Sequence, residues 1–349
     1  MYTRSFEATA QKPEPVAGLF GPLGRTAPIR VKKAIDWCGR WFKLDEEISK
    51  EYVGIRFAKA VAGKSPVTWS YLSHVDVDGM GALALLVKQD GIEREVPLPT
   101  IREKSKPGLL AGIGAQLRFL LRKSQPSANW KSLDPSWKKP AVPLPAGTAV
   151  ATGGLDLDRT QRFMEKARAL GVSTNSLLLS ALVRASKPYI CEGPMLWRVP
   201  VNMRGPVKTI SALANHCSFI EVPIDADDSA ARVHQQIKSC FDRREHWAAW
   251  FFCNIGSLIG YHGMHVIHAI YHWMSKGRPW VGTMSNLGTW NGVGDWYFGP
   301  GCQYANPVGA GVIICNGRLL LTLEAHPSIA RDSSLPEALM DRWIAEIGV

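Results

Sequence analysis

Apolar and polar positions along the chain fall into helix-like and strand-like stretches that alternate. The clearest lie in the second half. Leu155-Asp-Leu-Asp158 supplies a helix cap, Arg159–Leu170 has helical periodicity, and Gly171 ends that helix at C′. Val172-Ser-Thr-Asn175 opens the next helix, with Leu177, Leu178, Ala181 and Leu182 on its inner face. Met195–Met203 and Cys217–Ile224 read as strands, and Asp228–Arg244 as a helix. Val308–Ile314 and Arg318–Glu324 are joined at Asn316-Gly317, the strongest two-residue hairpin signal, and Leu335–Ile347 closes the chain as a helix. In the first half, a helix is predicted over Ile29–Phe42 and a strand over Val67–Val75, running into the turn Asp76-Val-Asp-Gly79. Helices are predicted over Met80–Lys88 and Leu109–Arg122. Interleaved strands and helices make the class α/β or α+β with a mixed sheet.

Proline and glycine divide the chain. Residues 1–30 are rich in both and read as an extended arm; 123–147 are again proline-dense and read as a crossover. The expected organisation is an arm over 1–30, an N-terminal lobe over 31–147 and a C-terminal lobe over 148–349. With 349 residues, 46% hydrophobic and 20% charged, the chain is globular and long enough for two packed lobes. The net charge of +11 attracts anions: nucleic acid, an anionic membrane surface or a phosphorylated cofactor. The basic residues form only short clusters and no zinc-finger spacing accompanies them, so nucleic acid is not expected as a partner. Seven cysteines, an odd number with no Cys-x-x-Cys pair, fit reduced thiols and a cytoplasmic protein. No secretory signal or uninterrupted apolar span of transmembrane length is read.

The candidate chemistry centres on Ser73-His-Val-Asp-Val-Asp-Gly79. A general base needs a pKa near neutrality and a fixed orientation, and His74 stands at a predicted strand end where the chain turns. A satisfied core histidine is the competing reading. Asp78 reads as a structural ion-pair partner rather than a catalytic acid, and Gly79 as a point where the backbone passes close to a neighbour or takes positive φ. Between His246 and Met274 lies an aromatic- and histidine-rich stretch. His262, His265, His268 and His272 share one helix face, opposite Ile259, Val266, Ile270 and Trp273. An ordinary amphipathic helix is favoured over a metal site, for lack of an acidic or Cys ligand on that face. An interfacial helix or acyl-chain wall is the third reading, giving a peripheral membrane contact through 246–274. Asp295-Trp-Tyr-Phe-Gly299 reads as a structural turn.

His74-x-x-x-Asp78-Gly79 resembles the His-x-x-x-Asp-Gly signature of thioester-dependent acyltransferases with the chloramphenicol acetyltransferase fold, which include condensation domains and wax ester/diacylglycerol synthases. Val172–Leu182, Val199-Pro-Val-Asn-Met-Arg204, Asn215–Pro223, Met284-Ser-Asn-Leu-Gly288 and Val308–Leu323 are similar to further family segments, in the family's order. The resemblance covers roughly residues 65–347. Two departures stand out: Ser73 occupies the place of a second histidine, and the first lobe is short. The resemblance implies two lobes, each a mixed sheet flanked by helices. It implies that His74 takes a proton from a hydroxyl or amine acceptor, which attacks an acyl thioester, with no metal and no bound cofactor. Ser285 and Asn286 are then candidate oxyanion donors, or merely turn caps, and Arg204 is the expected partner of Asp78. Acyl-CoA is the expected co-substrate, a carrier-protein thioester the alternative. A non-catalytic scaffold or lipid-binding protein of the same fold is the competing class.

Overall fold

A computed structural model describes residues 36–59, 69–89, 98, 100, 101, 103, 105–121, 127–138, 149–207, 211–274, 280–292 and 294–349. The arm over 1–30 and much of the crossover segment lie outside the described residues. The elements run α1 Trp37–Ser49, β1 Gly54–Lys59, β2 Ser70–Ser73, α2 Gly79–Gln89, α3 Leu109–Leu121, β3 Ala149–Leu155, α4 Leu157–Ala169, α5 Thr174–Ser186, β4 Met195–Asn202 and β5 Cys217–Ile224. They continue with α6 Ala230–Asp242, α7 Glu245–Cys253, α8 Gly256–Met274, β6 Gly282–Trp290, β7 Trp296–Gly299, β8 Val308–Cys315, β9 Arg318–Ala325 and α9 Ser334–Ile347. The class is α/β, as expected, with two sheets.

The large sheet has the order β3-β9-β8-β6-β4-β5. It is mixed: β6 runs parallel to both β4 and β8, while the other pairs are antiparallel. One face packs against α4, α5, α6 and α9 in a core that includes Phe163, Leu178, Trp197, Ile220, Leu323 and Trp343. β5 shows why its sequence chooses that face. Ser218, Ile220, Val222 and Ile224 are buried, while Cys217, Phe219, Glu221 and Pro223 alternate to the other side. β8 is buried along its whole length, as a strand covered on both faces must be, and its residues are apolar throughout.

The opposite, inner face carries the small sheet, β2-β1-β7, whose described pairs are antiparallel. Ile55, Phe57, Leu83, Leu287, Trp296, Phe298 and Leu320 form the second core there. β7 comes from the second half of the chain and pairs with β1 of the first, Arg56 opposite Gly299 and Phe57 opposite Phe298. Residues 295–299 are therefore not the turn the sequence suggests, because 296–299 supply the edge that β1 needs. β7 crosses so close to β8 that a Cβ on Gly311 would collide with the Phe298 carbonyl, so no larger residue fits. A buried ion pair, Arg56 Nη2 to Glu324 Oε2 at 2.8 Å, ties the two sheets.

α8 corrects the expected facing of the histidine-rich helix. Val266 is 60% and Ile259 41% exposed, so these two residues of the apolar row point outward. Two of the histidines turn to α1: His265 Nε2 lies 3.9 Å from Glu47 and His268 Nε2 3.7 Å from Asp45. The acidic partners missing from the helix come from another element. Among the described residues no His, Cys, Asp and Glu cluster is arranged to hold a metal. No described helix is long and apolar enough to cross a membrane.

Candidate active site

His74 follows directly on β2, where the chain turns into α2. Its backbone N–H donates to Val53 O at 3.0 Å, and the Asp76 N–H to Ser73 O at 3.2 Å closes the turn. α2 begins here because Asp78 caps it: its Oδ1 accepts from Gly81 N at 2.9 Å, satisfying a first-turn N–H. Arg204 donates to both oxygens of that carboxylate, from Nη1 to Oδ2 at 2.7 Å and from Nη2 to Oδ1 at 2.8 Å. His216 N adds a fourth hydrogen bond, to Oδ2, at 3.0 Å. Asp78 and Arg204 are 4% and 5% exposed, so this is a buried bidentate pair. Arg204 also donates to the carbonyls of Ala212 and Ala214. The pair thus pins the start of α2 to the 202–216 segment, and every acceptor site on Asp78 faces structure rather than open space. Gly79 is required by close approach: a Cβ there would stand 2.9 Å from Leu287 Cδ2.

The imidazole of His74 is held from two sides. Phe42 of α1 stacks on it, ring centroids 4.0 Å apart and planes 22° from parallel. Nδ1 lies 2.9 Å from Asn215 Oδ1. The Asn215 amide has one orientation, because its Nδ2 donates to the carbonyls of His74, at 3.0 Å, and Val75, at 3.3 Å. Oδ1 must therefore accept, Nδ1 must carry the proton, and Nε2 keeps its lone pair. Asp36, the cap of α1, also accepts from Asn215 N at 3.3 Å, so α1 and the residues entering β5 meet at this amide. Burial opposes the charged imidazolium and lowers the His74 pKa, against the pull of the Asp78 charge and the Asn215 hydrogen bond. The ring is neutral at pH 7 and fixed in a tautomer that accepts a proton at Nε2.

The structure separates Ser285 from Asn286. Met284 belongs to the helix-side core and Leu287 to the core under the small sheet. By strand alternation Ser285 shares the inner face with Leu287, the residue that touches Gly79. Asn286 turns to the helix side, where its Nδ2 donates to Asn175 Oδ1 at 2.5 Å and its Oδ1 accepts from Gly288 N at 2.8 Å. The two cannot serve one oxyanion together, and Asn286 holds α5 and the bulge of β6.

Two residues that contact His74 were not singled out by sequence. Asn215 opens a segment that matched the family pattern, and that position was its signal. Phe42 carried none, since α1 is brought to His74 only by tertiary packing. Cys38 and Cys217 also sit beside the site, with Cys38 Sγ 3.4 Å from the Cys217 carbonyl.

No family model matches the sequence, and no curated protein matches it. Solved structures do resemble it. The cyclization-docking bidomain EpoB of a nonribosomal peptide synthetase from Sorangium cellulosum superposes at TM-score 0.53, with 13% identity, over 80% of this chain and 59% of that one. The nonribosomal peptide synthetase FmoA3 superposes at TM-score 0.54, with 10% identity, over 80% of this chain and 30% of that one. The wax ester synthase/diacylglycerol acyltransferase of Marinobacter aquaeolei VT8 superposes at TM-score 0.47, with 12% identity, over 80% and 65%. The chain shares a two-lobed α/β fold with the two peptide-synthetase structures, and it spans less than two thirds of the length of each of the three.

Proposed function

We propose that this protein transfers an acyl group from a thioester to a hydroxyl or amine, with His74 as general base. The observation that carries the reading is the Asn215–His74 pair. It leaves Nε2 as a proton acceptor on a ring that is neutral at physiological pH. The acceptor gives its proton to Nε2 as it attacks the thioester carbonyl. The tetrahedral oxyanion then collapses and expels a thiolate, which leaves with the proton held on His74. Ser285, on the inner face, is the proposed oxyanion donor. Asp78 and Arg204 keep the turn in place and take no part in proton transfer. The fold shared with peptide-synthetase domains supports the thioester and makes a carrier-bound donor a real alternative to acyl-CoA. The net charge of +11 suits the phosphates of either. Incubation with a panel of acyl-CoAs and carrier-bound acyl groups, each with candidate alcohols and amines, tests the reading by mass spectrometry. An ester or amide product that requires the protein supports it, and no product with any donor sinks it.

A further inference from the structure

The inner face of the large sheet carries a cation that no described carboxylate pairs with. Arg198, on β4, places its guanidinium 3.7 Å from the ring centroid of Trp280 and 4.6 Å from that of Phe219. Among the described residues no carboxylate stands at ion-pair distance from it, and its Nε is buried without a hydrogen-bond partner. Glu221, opposite it on β5, accepts at Oε1 from Trp280 Nε1, at 2.9 Å. Thr283 is the neighbour of Arg198 on β6. Its Oγ1 accepts from Asn306 Nδ2 at 2.7 Å, while Asn306 Oδ1, an acceptor on a residue only 8% exposed, has no partner.

Rings stacked on a guanidinium leave its N–H edge as the bonding side. A buried N–H donor without a partner is costly until an acceptor arrives. The charge is also felt nearby: the Cys253 thiol is lowered by its hydrogen bond with Cys38 and by Arg198. Phe219, on β5, follows Asn215 by four residues, about 13 Å for extended chain at the usual strand rise. We propose that Arg198 holds an anionic group of the substrate, carboxylate or phosphate, while the reacting end lies at His74. This rests on the acyl-transfer reading for the second half of that statement only.

Isothermal titration with paired probes tests it: phosphopantetheine against pantetheine, and hexanoate against hexanol. A phosphate source predicts preference for phosphopantetheine, a carboxylate source preference for hexanoate. In either case Arg198→Gln weakens the anionic probe roughly tenfold or more, the loss expected for a shielded charge-assisted contact, and leaves its neutral counterpart unchanged. The proposal is overturned if no anionic probe outbinds its neutral partner on the wild type, or if Arg198→Gln binds both alike with wild-type affinity. His74→Ala separates the two readings: it keeps anion binding whether or not it loses turnover.

Discussion

Removing the Asp78 carboxylate tests whether the motif's acid is a brace. Asp78→Ala removes four hydrogen bonds at once: two from Arg204, one from Gly81 N and one from His216 N. The Arg204 guanidinium stays buried, with only Asn202 Oδ1 and backbone carbonyls to meet it. Breaking a buried pair this way costs about 3–5 kcal/mol, because the remaining charge is uncompensated. Loss of a helix cap adds about 1 kcal/mol. Together these approach the whole stability of an ordinary domain, about 5–15 kcal/mol. Urea denaturation of the wild type, Asp78→Ala, Arg204→Met and the double variant reads the effect directly. The single variants should lose several kcal/mol each and the double variant much less than their sum, since it buries no lone charge. A loss under about 1 kcal/mol for Asp78→Ala, against the range for a broken buried pair, would refute the bracing role.

Four further outcomes follow from the same structure. Asn215→Ala frees the His74 ring and should lower turnover about tenfold to a hundredfold, as small misplacements of catalytic groups do, with no matching rise in KM. In the wild type the acid limb of the pH–rate profile should lie below pH 6.5, because burial lowers the His74 pKa; a limb above 6.5 contradicts this. Glu51 is buried and its pKa is pushed up to about 7, chiefly by burial. Its protonated form is the one the fold favours, so its contribution is complete below pH 4.5 and lost as pH rises through 7. Glu51→Gln should therefore be more stable than the wild type at pH 8, by up to about 3 kcal/mol, and should level the decline in melting temperature between pH 5 and 8. Leu258 of α8 is 84% exposed and Val266 60%. If these touch lipid, Leu258→Asp with Val266→Asp abolishes flotation with liposomes that carry the wild type; equal flotation removes α8 as the contact.

Strong local periodicity made much of the C-terminal half legible. α5, β4, β5 and the β8–β9 hairpin lie where their patterns place them, because each buries one face against a continuous core. β1, Gly-Ile-Arg-Phe-Ala-Lys, was not predicted: Arg56 interrupts its apolar run and is buried only because Glu324 meets it from the other sheet. β3 was hidden by Gly153 and Gly154, weak strand residues that β9 and α9 leave little room to replace. β7, Trp-Tyr-Phe-Gly, has strand-forming aromatics between Asp295 and Gly299, but only four residues, and its partner β1 lies some 240 residues away in sequence. The site divides in the same way. His74, Asp78 and Arg204 stand in short motifs and could be read from them. The roles of Phe42, Asn215 and Arg198 exist only in the packing of distant segments. Ser285 and Asn286 are adjacent in sequence, and alternation sends them to opposite faces.

The central claim is that His74 accepts the proton of the attacking group. Release of free thiol from the preferred acyl thioester, measured with and without acceptor for the wild type and a folded His74→Ala, tests it most directly. The account predicts acceptor-dependent release by the wild type and a loss of about 10²–10⁴-fold in the variant, the usual contribution of a general base. Release by His74→Ala at the wild-type rate would contradict it.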